Sequence, residues 1–184
     1  VTVLGHNCST KVRRVLAAIE RSLPEASGGR SSVKSLFGAE HLSDLDFHYM
    51  VADGVALAVQ YGHSEELCSA LEGISEESEA ISVFASTMRL LWGDDFGASC
   101  FYDTACLSQN HSLGLSAHRA WHWQTCTELS SFPTPPRGEA SYGALRHKLL
   151  DASFFMRRCI EAFGKGVRPN PHKARAAFQG RAQR

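Results

Sequence analysis

Apolar residues recur in steps of three and four along most of this chain, and clusters of glycine, proline and serine interrupt them. Such steps return to one face of an α-helix, whereas a half-buried strand needs alternation by two. From Ser9 to Leu23 the stripe is Val12, Val15, Leu16, Ile19 and Leu23, with Lys11, Arg13, Arg14, Glu20 and Arg21 between them. Pro24 and a Ser-Gly-Gly-Arg-Ser-Ser run end it, and Val33, Leu36 and Phe37 make a short second helix. Ser43, three residues before Asp46, forms an acidic variant of the capping box. It predicts a third helix to about Gln60, seating Leu45, Met50, Val51, Val55, Ala58 and Val59. Gly62 stops that helix, and Ser64 caps a short one carrying Leu67, Cys68 and Leu71. A fifth follows Ser75, with acidic residues in its first turn and a core stripe of Ile81, Phe84, Met88 and Leu91.

The period is lost between Gly93 and Ser116, which predicts an irregular loop with short extended pieces. A last long helix is expected over about Tyr142 to Phe163, with Leu145, Leu149, Met156, Ile160 and Phe163 inward and Gly164, Pro169 and Pro171 closing it. Strand signals are weak throughout, so the expected fold class is mainly α.

With 184 residues, 43% of them hydrophobic, the chain is long enough for one domain with its own core. Lysine plus arginine equal aspartate plus glutamate at 19 each, so no net field favours nucleic acid or an anionic membrane surface. No stretch reaches the roughly 20 apolar residues of a membrane span. The chain opens at Val1 without methionine and ends on Gln-Gly-Arg-Ala-Gln-Arg, which reads as a segment of a longer protein.

Cysteines stand at Cys8, Cys68, Cys100, Cys106, Cys126 and Cys159, with no Cys-x-x-Cys pair. An even number suits disulfides in an oxidising compartment; six buried thiols are the alternative. Asn7 and Asn110 head Asn-x-Ser triplets that accept glycans in a secreted protein, although about one such triplet arises by chance in a chain of this length. Cys100, Cys106, His111 and His118 have the ligand types of a zinc site, but their spacing matches no usual structural one. No metal and no cofactor is expected.

The most specific string is Trp121-His122-Trp123-Gln124-Thr125-Cys126-Thr127-Glu128. It resembles the Trp-x-Tyr-Gln-x-Cys-Thr-Glu motif of the serine carboxypeptidase family that includes lysosomal Pro-Xaa carboxypeptidase, dipeptidyl peptidase II and thymus-specific serine protease. Cys8-Ser9 opening the first helix, and Ala58-Val59-Gln60-Tyr61-Gly62 followed by Leu67-Cys68, agree in order. The resemblance runs from residue 8 to about residue 164. It implies the helical cap, or insert, of an α/β-hydrolase serine peptidase, with the nucleophile before Val1 and the aspartate and histidine after Arg184, so no catalytic triad is assigned to this chain. The implied layout is one insert over 1–184: a helical bundle part at 1–92, an irregular loop at 93–118, the motif segment and long helix at 119–164, and a tail at 165–184 leading to the catalytic part.

The resemblance further implies disulfides Cys8 to Cys68 and Cys126 to Cys159. Cys100 departs from the family pattern, because the position that often pairs with it falls near Leu42 and Ser43; a local bridge to Cys106 is the expectation. The segment after Cys-Thr-Glu, here Leu129, Ser130, Ser131 and Phe132, is the part that approaches the specificity pocket in this family. The candidate substrate-binding residues are therefore Gln124, Glu128, Ser131 and Phe132. Gln124 reaches substrate or satisfies loop backbone groups; Glu128 meets a substrate amine or pairs with a base such as Arg119. Trp121 and Trp123 wall the pocket or pack the cap on its host domain.

Glu139-Ala140-Ser141-Tyr142-Gly143 imitates a nucleophile elbow, but Glu139 takes the place of its first glycine and Pro133, Pro135 and Pro136 preclude a preceding strand. Ser141 reads as a helix N-cap. His48, His63, His118 and His122 are scattered without an acid and nucleophile pattern and read as surface or core histidines.

The resemblance thus implies part of a serine-type exopeptidase that cleaves peptides next to proline, in a lysosome, an endosome or a secreted fluid. Its expected partners are a proline-containing peptide and the rest of its own catalytic domain, and a homodimer is compatible. The alternative is a non-catalytic, disulfide-stabilised helical protein-binding module.

Overall fold

A computed structural model describes residues 5–23, 29–109, 117–135 and 146–170. Among them the chain is mainly helical and contains no strand. α1 (His6–Ser22), α2 (Gly29–Leu36), α3 (Asp44–Gln60), α4 (Ser64–Ala70) and α5 (Glu77–Trp92) come first. α6 (Thr104–Gln109), α7 (Ala117–Gln124) and α8 (Ala152–Phe163) follow. α1 packs on α2, α3 and α5; α3 also meets α4 and α5, while α8 packs on α6 and α7.

The first five helices follow from the apolar period. Val12, Val15, Ile19 and Leu23 of the first stripe are buried and Leu16 is half-buried; with Ala18 they meet Phe37, Phe47, Met50, Val51, Val55, Phe84 and Met88 in one core. Ser43 caps α3 by accepting from the Asp46 amide at 3.1 Å. The return contact is side chain to side chain, Ser43 Oγ donating to Asp46 Oδ2 at 2.9 Å. Two glycines permit close approach. A Cβ on Gly54 of α3 would lie 2.8 Å from Met88 Sδ, and one on Gly97 only 1.9 Å from the Phe37 carbonyl oxygen.

Three expectations are corrected. Ser64 lies inside α4, whose N-cap position is His63 without a side-chain cap bond. The stretch after Gly93 carries no extended piece among its described residues: Asp94–Phe96 is a 3-10 turn and Thr104–Gln109 is α6. Asp103 starts α6, its carboxylate accepting from the Cys106 amide at 3.0 Å; six residues are too few to show a helical period. The last helix begins at Ala152, where Asp151 accepts from the Phe154 amide at 3.0 Å, and residues 146–150 are not helical. Its buried side is Phe154, Phe155, Arg158, Cys159 and Ala162. Leu149 and Met156, expected inward, are exposed, and Ile160 and Phe163 are half-buried. Tyr142, Leu145, Ser141, Asn110 and His111 lie outside the described residues.

Three disulfides cross-link the fold: Cys8–Cys68, Cys100–Cys106 and Cys126–Cys159. They join α1 to α4, close the loop leading into α6, and tie the motif segment to α8. No helix among the described residues is long and apolar enough to cross a membrane.

Candidate functional site: a cleft between α3, α7 and α8

The motif string does not continue as one α-helix. α7 passes into a π-helical turn, Thr125–Leu129, and Ser130 leaves it in the left-handed region at φ 47°. Wider turns of this kind recur at functional sites, and a non-glycine residue at positive φ is held there by its surroundings. Here the surroundings are the Cys126–Cys159 disulfide and a flat stack of the Phe132 ring on Phe155, centroids 5.3 Å apart.

This geometry opens a cleft of about 380 Å³. One wall is a single face of α3, where Tyr49, Asp53 and Leu57 are spaced by four and Gln60 and Tyr61 follow. α8 contributes Phe155, Arg158, Cys159 and Ala162, with Phe155 and Arg158 in contact with the Tyr49 ring. Phe101, Trp121, His122, Ser131, Phe132 and Pro133 complete the lining. Of the four candidates, Ser131 and Phe132 therefore line the cleft. Gln124 and Glu128 are exposed and lie outside its lining. Glu128 joins no ion pair among the described residues, and Arg119 turns its guanidinium to the carbonyls of Leu107 and Ala162. Trp121 stands half-exposed at the cleft, whereas Trp123 packs edge-on against Phe163 at 5.3 Å. Asn7 is exposed in the first turn of α1.

Beneath the cleft runs a polar network that no local pattern announces. Arg158 donates to Asp46 Oδ1 at 2.6 Å and to the carbonyls of Tyr102 at 2.9 Å and Phe101 at 2.8 Å. Thr104 Oγ1 donates to the same Asp46 oxygen at 2.7 Å. A buried charge is tolerated when paired and hydrogen-bonded in this way. His122 Nε2 lies 2.9 Å from the Phe101 carbonyl, so that nitrogen carries the proton. Burial first, and then the Arg158 charge, push the His122 pKa down to about 4, which keeps the ring neutral near pH 7.

Asp53 was also missed, although an acid inside the Met-Val-Ala-Asp-Gly-Val-Ala-Leu run is a signal in itself. It accepts from Tyr102 Oη at 3.1 Å and pairs with Arg146 at 3.2 Å. Burial, and then the Asp53 charge, hold the phenols of Tyr49 and Tyr102 well above the usual range, so both remain protonated. Ser131 and His122 share the cleft, yet no hydrogen bond joins them. The arrangement has the makings of a binding surface with aromatic walls and fixed polar groups.

Comparison with known proteins agrees with the motif. A probable serine protease, EDA2, from Arabidopsis thaliana is 30% identical over 171 residues, which are 90% of this chain and 33% of that protein. The chain thus spans about a third of the length of this curated relative. The family model described as serine carboxypeptidase S28 matches residues 1–181, and the chain belongs to that family.

Proposed function

We propose that this chain is the helical cap of a serine-type exopeptidase that cleaves peptides next to proline, and that the catalytic triad lies elsewhere in the protein. The observation that carries the reading is the cleft itself. Its volume falls in the range of small-ligand sites, about 300–1,000 Å³, and Phe132, Pro133 and Trp121 offer apolar surface to a pyrrolidine ring. The half-exposed Trp121 and Trp123 suit a contact with the rest of the protein, as large aromatics do at interfaces. Membership of a serine carboxypeptidase family and three disulfides support a secreted or lysosomal serine peptidase.

The test uses the full-length protein from a secretory host, assayed on peptides with proline second from either end. Cleavage beside proline is expected, and Phe132→Ala raises KM by about tenfold, equivalent to ~1.4 kcal/mol, with a smaller effect on kcat. Indifference to proline, or kinetics unchanged in Phe132→Ala, would sink the assignment.

A further inference from the structure

Away from the cleft, three parts of the fold meet at a pair of imidazoles. His48 on α3 and His147, just before α8, lie face to face, with centroids 4.5 Å apart and planes within 13°. His147 Nε2 faces Glu20 Oε1 on α1 at 3.0 Å, and its Nδ1 accepts from the Leu149 amide at 3.2 Å. Together these contacts define one neutral tautomer, with Nε2 carrying the proton towards the carboxylate and Nδ1 serving as acceptor. The neighbouring Arg146 reaches Asp53 of the cleft at 3.2 Å. The segment that α1 and α3 hold is therefore the one that delivers a guanidinium to the cleft.

We propose that His48, His147 and Glu20 form an acid-released clasp, which holds residues 146–150 against α1 and α3 and so keeps Arg146 on Asp53.

The chemistry follows from proton positions. A proton added to His48 puts a largely buried cation against the stacked face of His147, while Glu20 is already engaged by His147 Nε2. Among the described residues the other charges facing His48 are Asp44 and Lys34, which pair with each other at 2.8 Å and so largely cancel. Burial first, then His147, push the His48 pKa down to about 4, against the raising effects of Glu20 and Asp44. A folded-state pKa below the unfolded 6.5 means that the contribution is whole above pH 6.5 and is lost as pH falls towards 4.

The experiment is hydrogen exchange with mass-spectrometric readout on the full-length protein, comparing protection at residues 146–150 with that of α5 between pH 7 and pH 4. Protection of 146–150 is expected to fall at least tenfold on acidification while α5 holds. His48→Phe keeps an aromatic ring but cannot be protonated, and His48→Gln serves if the phenylalanine variant does not fold. In either, the fall shifts to lower pH or disappears. Glu20→Gln loosens 146–150 already at pH 7. Constant protection across the range in the unsubstituted protein, or the same fall in a folded His48 variant, overturns the clasp. Neither result bears on proline specificity, which rests on the separate kinetic test.

Discussion

Arg158 on α8 donates to the carboxylate of Asp46 on α3 at 2.6 Å, joining positions 112 residues apart in the chain. Both residues are almost wholly buried. Ser43 and Thr104 complete the carboxylate, while the Phe101 and Tyr102 carbonyls complete the guanidinium. One contact thus organises the cap of α3, the start of α6 and the side of the cleft nearest His122. Arg158→Met leaves an unpaired buried carboxylate and is expected to cost about 3–5 kcal/mol. Urea unfolding checks this, and adding Asp46→Leu should recover part of the loss because the two sites are coupled.

Acid should weaken the fold through His122. Its folded pKa is about 4 against 6.5 for the free side chain, so the unfolded chain takes up the proton first. The contribution is complete above pH 6.5 and declines as pH falls towards 4, by an amount on the order of 3 kcal/mol. His122→Gln is expected to flatten the fall of the urea midpoint between pH 7 and pH 4. A variant whose pH profile overlays that of the unsubstituted protein contradicts this role.

The disulfides differ in what they close. Cys8–Cys68 spans 60 positions and Cys100–Cys106 only 6. In the chain-entropy model these loops correspond to about 4 and about 2 kcal/mol. Replacing each pair by serine should therefore lower thermal stability more for the first pair, as calorimetry under non-reducing conditions can determine. The order reverses only if the short loop, which presents the Phe101 and Tyr102 carbonyls to Arg158, carries more than its entropy.

The sequence makes α1, α3 and α5 legible because their stripes are apolar and long enough to repeat: Val12, Val15 and Ile19 are inward, as are Phe84 and Met88. The α8 side is harder to read. Phe154, Phe155, Arg158, Cys159 and Ala162 share a helical face, but an arginine at its centre hides the stripe from any apolar count. Its start was misplaced because Leu145 and Leu149 extend the same spacing backwards, whereas the Asp151 cap sets the boundary. Ser131 and Phe132, named from the family motif, line the cleft. The ion pairs of Asp46, Asp53 and Arg158 were not legible, since their partners are distant in sequence and ion pairing leaves no period. Gln124 and Glu128 belong to the same string but face outward once α7 gives way to the π-helical turn.

Two glycines give a last, purely steric prediction. At Gly54 an added Cβ meets the Met88 sulfur at 2.8 Å, the flexible part of a side chain that can withdraw. At Gly97 it meets the Phe37 carbonyl oxygen at 1.9 Å, with the Phe37 and Gly38 carbonyl carbons each at 2.9 Å, all of them backbone. Neither φ is positive, so the demand is for space and not for a left-handed conformation. Gly97→Ala must push the turn after α2 away from the turn after α5, and overpacking of this kind costs about 1–3 kcal/mol or more. Gly54→Ala should fall at the low end of that range. Thermal melts of the two variants decide it: a Gly97→Ala protein as stable as Gly54→Ala would mean that the two turns do not lie in contact.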